Sequence, residues 1–99
     1  MKFNIGLTYD TSVENIKNIV NDIQVLIDEH PMTNEDGRVR FLNFGASSLD
    51  IMVLYYVNSP DWEVLIDAQQ KINFDIINIV NNYKCEFAFP STSVYIEKN

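Results

Sequence analysis

Residues 3–9 alternate strictly: Phe3, Ile5, Leu7 and Tyr9 are separated by Asn4, Gly6 and Thr8. Period two over seven residues predicts a strand with one buried face. Asp10-Thr11-Ser12 ends it and opens a helix, with Thr11 and Glu14 at the spacing of a capping box. The period then changes. Val13, Ile16, Ile19, Val20, Ile23, Leu26 and Ile27 fall within an arc of about 140° at helical pitch, the stripe of a helix lying on a sheet. This helix is predicted to run to about Glu29, because Pro31 pushes the residue before it out of helical geometry.

Asn34-Glu35-Asp36-Gly37 reads as a polar turn closed by a glycine able to take positive φ. A second strand is predicted over residues 38–44, with Val39 and Phe41 on one face, and a third over 49–57 after the break at Gly45-Ala46-Ser47-Ser48. Ser59-Pro60-Asp61 opens a second helix, with Ser59 or Asp61 as cap. Its main stripe is Trp62, Leu65, Ile72, Ile76, Ile79, Val80 and Tyr83. A short strand at 86–89 is interrupted by Pro90, and a last edge strand is predicted over 93–97. The order β-α-β-β-α-β, with a short extra C-terminal strand, predicts an α+β fold of the ferredoxin-like, split β-α-β kind. In it both helices cover one face of an antiparallel sheet.

Two places carry more apolar surface than such a sandwich needs. Leu49, Ile51, Val53, Tyr55 and Val57 suffice for the covered face of the third strand, yet Met52, Leu54 and Tyr56 opposite them are apolar, and Leu42 can join them. On the second helix Ile66, Phe74 and Ile77 lie about 100–180° off the main stripe. Contiguous leftovers of this kind mark interfaces. These seven residues are therefore the candidate subunit contacts, against the plainer alternatives of a greasy surface or a slipped register.

Charge narrows the partners. With 7 Lys+Arg against 14 Asp+Glu the net charge is −7 and the pI about 4.4. An acidic chain of 99 residues lacks the basic footprint that nucleic acid requires, and it is disfavoured on anionic lipid. Its size and 46% hydrophobic content suit one domain with one core. A single cysteine, Cys85, excludes an internal disulfide framework. No apolar run reaches the roughly 20 residues of a membrane span, and the N-terminus has no signal-peptide layout.

No catalytic constellation emerges, and no cofactor or metal is expected. His30 is the only histidine and sits at a helix end, where satisfying the last carbonyls is its expected role. Cys85 reads as a small buried hydrophobe. The acidic residues about the 28–36 loop lack the ligand spacing of a calcium hand, and Gly6, Gly37 and Gly45 are too dispersed to cradle a phosphate.

Four stretches in order nevertheless make a pattern: Ile5-Gly6-Leu7-Thr8-Tyr9-Asp10-Thr11, Phe44-Gly45-Ala46-Ser47-Ser48-Leu49-Asp50-Ile51, Asp61-Trp62, and Phe87-Ala88-Phe89-Pro90-Ser91 leading to Val94-Tyr95-Ile96. In these the chain resembles the C-terminal cytoplasmic α/β domain of small-conductance mechanosensitive (MscS-like) channels. Gly45, Ser47 and Ser48 form the motif's tight β-β connection, and Phe89 and Pro90 its exit from the fourth strand. Ala46 stands where many members have an aspartate.

The resemblance implies a piece of a homo-oligomeric channel, a heptamer in the best-known members, whose transmembrane helices and middle β domain precede this segment. Such domains pack side by side into a cytoplasmic vestibule below a pore that releases ions and osmolytes on hypoosmotic shock. The chain is thus expected to be an excised, non-catalytic fragment, touching membrane only through the missing transmembrane part. The alternative is a stand-alone regulatory module binding a small ligand between protomers. An acylphosphatase-like enzyme would need an arginine on a phosphate loop, whereas Arg38 and Arg40 fall in a strand.

Overall fold

A computed structural model describes residues 1–88 of the chain. The strand expected over 93–97 and the motif residues Phe89 and Pro90 lie outside these described residues. Five elements form in chain order: strand β1 (Lys2–Leu7), helix α1 (Val13–Glu29), strands β2 (Arg38–Phe44) and β3 (Leu49–Leu54), and helix α2 (Trp62–Asn82). The fold is α+β and is consistent with a ferredoxin-like domain.

Strand β3 lies between β1 and β2 and is antiparallel to both, so β1 and β2 run parallel with α1 joining them across the intervening strand. That is the split β-α-β unit. On the free side of β1, Phe87 bridges Leu7, the Thr8 N–H donates to the Glu86 carbonyl at 3.1 Å, and the Ala88 N–H donates to Gly6 at 2.9 Å. The last described residues thus lie along the edge of β1, where the fourth strand of a ferredoxin-like sheet runs.

The helix starts follow from local hydrogen bonding. Ser12, not Thr11, caps α1: its hydroxyl accepts the Asn15 N–H at 3.1 Å, while the Thr11 hydroxyl turns back to the Thr8 carbonyl at 2.7 Å. Asp61 caps α2 by accepting the Glu63 N–H at 2.9 Å. At the end of α1 the Thr33 hydroxyl satisfies the Ile27 carbonyl, a role expected of His30. His30 instead accepts the Met32 N–H on Nδ1 at 3.0 Å.

The core is one layer between helices and sheet. Ile16, Ile19, Ile23 and Ile27 of α1 and Ala68, Ile72, Ile76 and Val80 of α2 are buried at helical spacing. They meet Leu7, Val39, Leu49, Ile51, Val53 and Tyr55 from alternate strand positions and their continuation. Two expected stripe members stand outside: Val13 is 68% exposed and Trp62 67%. Each is the first residue of its helix, extending past the neighbours that bury the next turn. Strand alternation also stops earlier than its pattern suggests, leaving Tyr9 exposed beyond β1 and Val57 in an isolated bridge with Thr33 beyond β3. Gly37 does not take positive φ. Its place is fixed by crowding, since a Cβ there would sit 2.8 Å from Ile27 Cδ1 and 3.0 Å from the Leu54 carbonyl oxygen.

Candidate interaction surfaces

With the helices on one side, the other side of the sheet is open. Its residues fall in three rows: Lys2, Leu54 and Arg38; Asn4, Met52 and Arg40; Gly6, Asp50 and Asn43. Met52 and Leu54 are half-buried at the centre of this face, and Tyr56 extends the patch as an exposed residue past the strand end. The apolar centre is narrow, because cationic and amide side chains flank it on both strands. Leu42 is the extra residue of a bulge between Phe41 and Asn43, and it projects exposed without a cross-strand partner.

The corner joining β2 to β3 holds the motif residues Gly45, Ser47 and Ser48. The Gly45 N–H donates to the Ser48 carbonyl at 2.6 Å, closing the turn, and the Ser48 hydroxyl donates to Asp50 at 2.5 Å. A Cβ on Gly45 would sit 2.9 Å from both the Asp50 carboxylate and the Ser48 hydroxyl and 3.1 Å from the Ser48 carbonyl oxygen, so a larger residue would push these groups aside. Tyr9 donates its hydroxyl to the Gly45 carbonyl and ties the corner to the end of β1.

The outward side of α2 carries the three helix residues singled out in the sequence. Phe74 is 55% exposed, Ile77 46%, and Ile66 is partly covered. Glu63 and Asp67 share this side. Lys71 is paired with Asp75 one turn along at 3.0 Å, which neutralises it.

A third surface escaped the sequence reading. Between α1 and the outer edge of β2 lies a groove of about 390 Å³, with walls that include Val13, Ile16, Val20 and Phe41 and with Lys17 and Arg40 on its lining. Phe44, 77% exposed, stands edge-on to Phe41 at 5.2 Å. The signal was present in the spacing: Val39 and Phe41 keep period two, whereas Phe44 breaks parity, as a bulge at Leu42 requires. At one end of the groove, Gln24 of α1 lies against the strand edge. Its side-chain amide donates to the Gly37 carbonyl at 3.1 Å and accepts the Val39 N–H at 2.9 Å, doing for β2 what a neighbouring strand's peptide group would do.

Among the described residues no three His, Cys, Asp or Glu side chains gather to hold a metal. Cys85 is half-buried against the core. Two tyrosines have perturbed hydroxyls. Tyr83 donates to Asp22 at 2.6 Å, and that carboxylate raises its pKa above the usual 10. Tyr55 is fully buried, its hydroxyl has no hydrogen-bond partner among the described residues, and burial raises its pKa. No helix among the described residues is long and apolar enough to cross a membrane.

Comparison with known proteins places this geometry. A family model described as "Mechanosensitive ion channel MscS, C-terminal" matches residues 1–87. The chain is 43% identical over 100 residues to an uncharacterized MscS family protein of Aquifex aeolicus. It is 37% identical over 95 residues to the small-conductance mechanosensitive channel MscMJ of Methanocaldococcus jannaschii, and 33% over 95 residues to the low conductance mechanosensitive channel YnaI of Escherichia coli. These alignments cover 99%, 96% and 94% of this chain but 27% of each relative, so the chain spans about a quarter of their length.

Proposed function

The chain belongs to the family of C-terminal domains of MscS mechanosensitive ion channels, and from that premise we propose that it is the cytoplasmic vestibule domain of such a channel. In this reading it does no chemistry. Copies assemble around the pore axis, seven in a ring, below a middle β domain, and the assembly passes ions and osmolytes released on hypoosmotic shock. The observation that carries the reading is coverage: the match runs from residue 1 to residue 87, nearly the whole chain, while each relative named above is several times longer. Supporting it, the described residues carry apolar side chains open to solvent on three sides, the form that subunit contacts take. The repeated net charge of −7 would bias which ions gather at the vestibule wall, an effect reaching about 8 Å at physiological salt.

Two experiments test it. The coding sequence upstream of Met1 should continue in frame into apolar segments of about 20 residues. The full-length product should then rescue a channel-deficient host from hypoosmotic shock, and lose that rescue when this domain is deleted. A free-standing reading frame, or rescue indifferent to the domain, would refute the proposal. Within the channel, Leu54→Glu should weaken assembly, read as oligomer mass, if the open sheet face meets a neighbour.

A further inference from the structure

We propose that the groove between α1 and β2 receives the outward side of α2 from a second copy of this chain, in a head-to-tail contact; the inference rests on the assembly reading above and supplies its geometry. Val13 on the groove's lining is 68% exposed, and Phe44, edge-on to the lining residue Phe41, is 77% exposed; such surface is rarely left to water without use.

The occupant is not another strand. An added strand would find the start of this edge already taken, because Gln24 occupies the Gly37 carbonyl and the Val39 N–H and Arg40 donates to the Val39 carbonyl at 2.8 Å. An antiparallel pairing of two β2 edges centred on Val39 would also set Arg38 opposite Arg40 of the other copy, and like charges directly opposite are destabilising. What fits is a helix laid into the groove by its side chains.

Charge selects which helix. The groove is cationic, with Lys17 and Arg40 on its lining, in a chain whose net charge is −7. The outward side of α2 is the complement, apolar at Ile66, Phe74 and Ile77 and acidic at Glu63 and Asp67, with Lys71 already neutralised by Asp75. Length agrees as well. From Val13 to Gln24 the groove follows α1 for about 16 Å, and from Ile66 to Ile77 the α2 surface runs the same distance at 1.5 Å per residue. The opposite flank of α1 is committed to α2 of its own chain through Asp22 and Tyr83. Groove and donor surface therefore point in different directions on one protomer. A contact between two different surfaces is heterologous and propagates, closing into a ring when the rotation allows.

The test is charge reversal and exchange in the 99-residue chain, read by sedimentation and by concentration-dependent amide shifts. Lys17→Glu and Asp67→Lys each change an exposed residue, and unchanged thermal unfolding will show that the fold is kept. Each alone should weaken self-association about tenfold, and the double variant should recover most of it, since the pair is re-formed with its signs exchanged. Phe74→Ser should weaken association without any recovery by the charge swap. A chain monomeric at about 1 mM, association indifferent to the reversals, or a double variant as weak as the singles would overturn the contact. Failure here leaves the channel reading standing if the upstream sequence and shock survival support it, because neither depends on this pairing.

Discussion

Replacing Gln24 by Met isolates the contribution of one side chain to the edge of β2. Methionine keeps the length and flexibility of glutamine and nearly its helix propensity, so α1 itself is little changed. Besides exposed contacts to Asp28 at 3.0 Å and Arg40 at 3.4 Å, which contribute little, what disappears is the amide's pair of bonds to the strand edge, donated to the Gly37 carbonyl at 3.1 Å and accepted from the Val39 N–H at 2.9 Å. Two hydrogen bonds at a net of about 0.5–1.5 kcal/mol each set the loss at about 1–3 kcal/mol. Water entering the groove can solvate the freed groups, which places the expectation in the lower half of that range. With a urea slope of about 1–2 kcal/mol per molar, the midpoint should fall by about 1 M. Amide hydrogen exchange gives the residue-level reading: Val39 should exchange about tenfold faster in Gln24→Met, a 1.4 kcal/mol loss of local protection. Gln24→Glu retains the acceptor for Val39 but turns a second oxygen toward the Gly37 carbonyl and Asp28, so it should keep only part of that protection. An unchanged midpoint together with unchanged Val39 exchange in Gln24→Met would refute the assignment of Gln24 as the cover of this edge.

Further perturbations test other parts of the fold. Tyr55→Phe should raise stability by about 1 kcal/mol in urea unfolding, because it removes a buried hydroxyl that finds no partner among the described residues; a loss of similar size would contradict this. Gly37→Ala should destabilise by about 1–3 kcal/mol, since the new Cβ meets Ile27 Cδ1 and the Leu54 carbonyl inside normal contact distance. Asp22→Asn should bring Tyr83 back toward the ordinary tyrosine range in an ultraviolet pH titration. The folded-state pKa of Tyr83 is raised, so its bond to Asp22 supports the fold below about pH 10 and is lost as pH climbs past the raised value. Identical titration curves for Asp22→Asn and the native chain would remove the carboxylate as the cause.

The parts of this fold that were legible in the sequence are those governed by period. The isoleucines of α1 and the alternate residues of β3 are spaced by the geometry of their elements, and both lie in the core. The helix start was misplaced by one residue because Thr11 and Ser12 can both cap, and only the backbone path decides which hydroxyl faces the first turn. Val13 and Trp62 satisfied the helical period but not the extent of what covers it, which depends on tertiary packing. The same limit applied to the surfaces. Met52 and Leu54 were placed on the open face by parity, yet the cations beside them come from other strands and appear only through register. The groove was hidden for a further reason. It joins residues of α1 and β2 across a long loop, and its edge is held by a glutamine whose role no local pattern announces.

The position of β1 has a mechanical consequence. A pull on residue 1 enters the sheet through a strand paired with β3 along its whole length and, at its far end, with residues 86–88. Met1 itself is fastened to Tyr55, donating from its nitrogen at 2.8 Å and accepting on its carbonyl oxygen at 2.9 Å. Drawn along the strand, such a load is shared across the β1–β3 ladder rather than borne by one bond at a time. A domain gripped through a ladder of this length moves as a body under such a pull, because no single bond can open before those beside it are loaded.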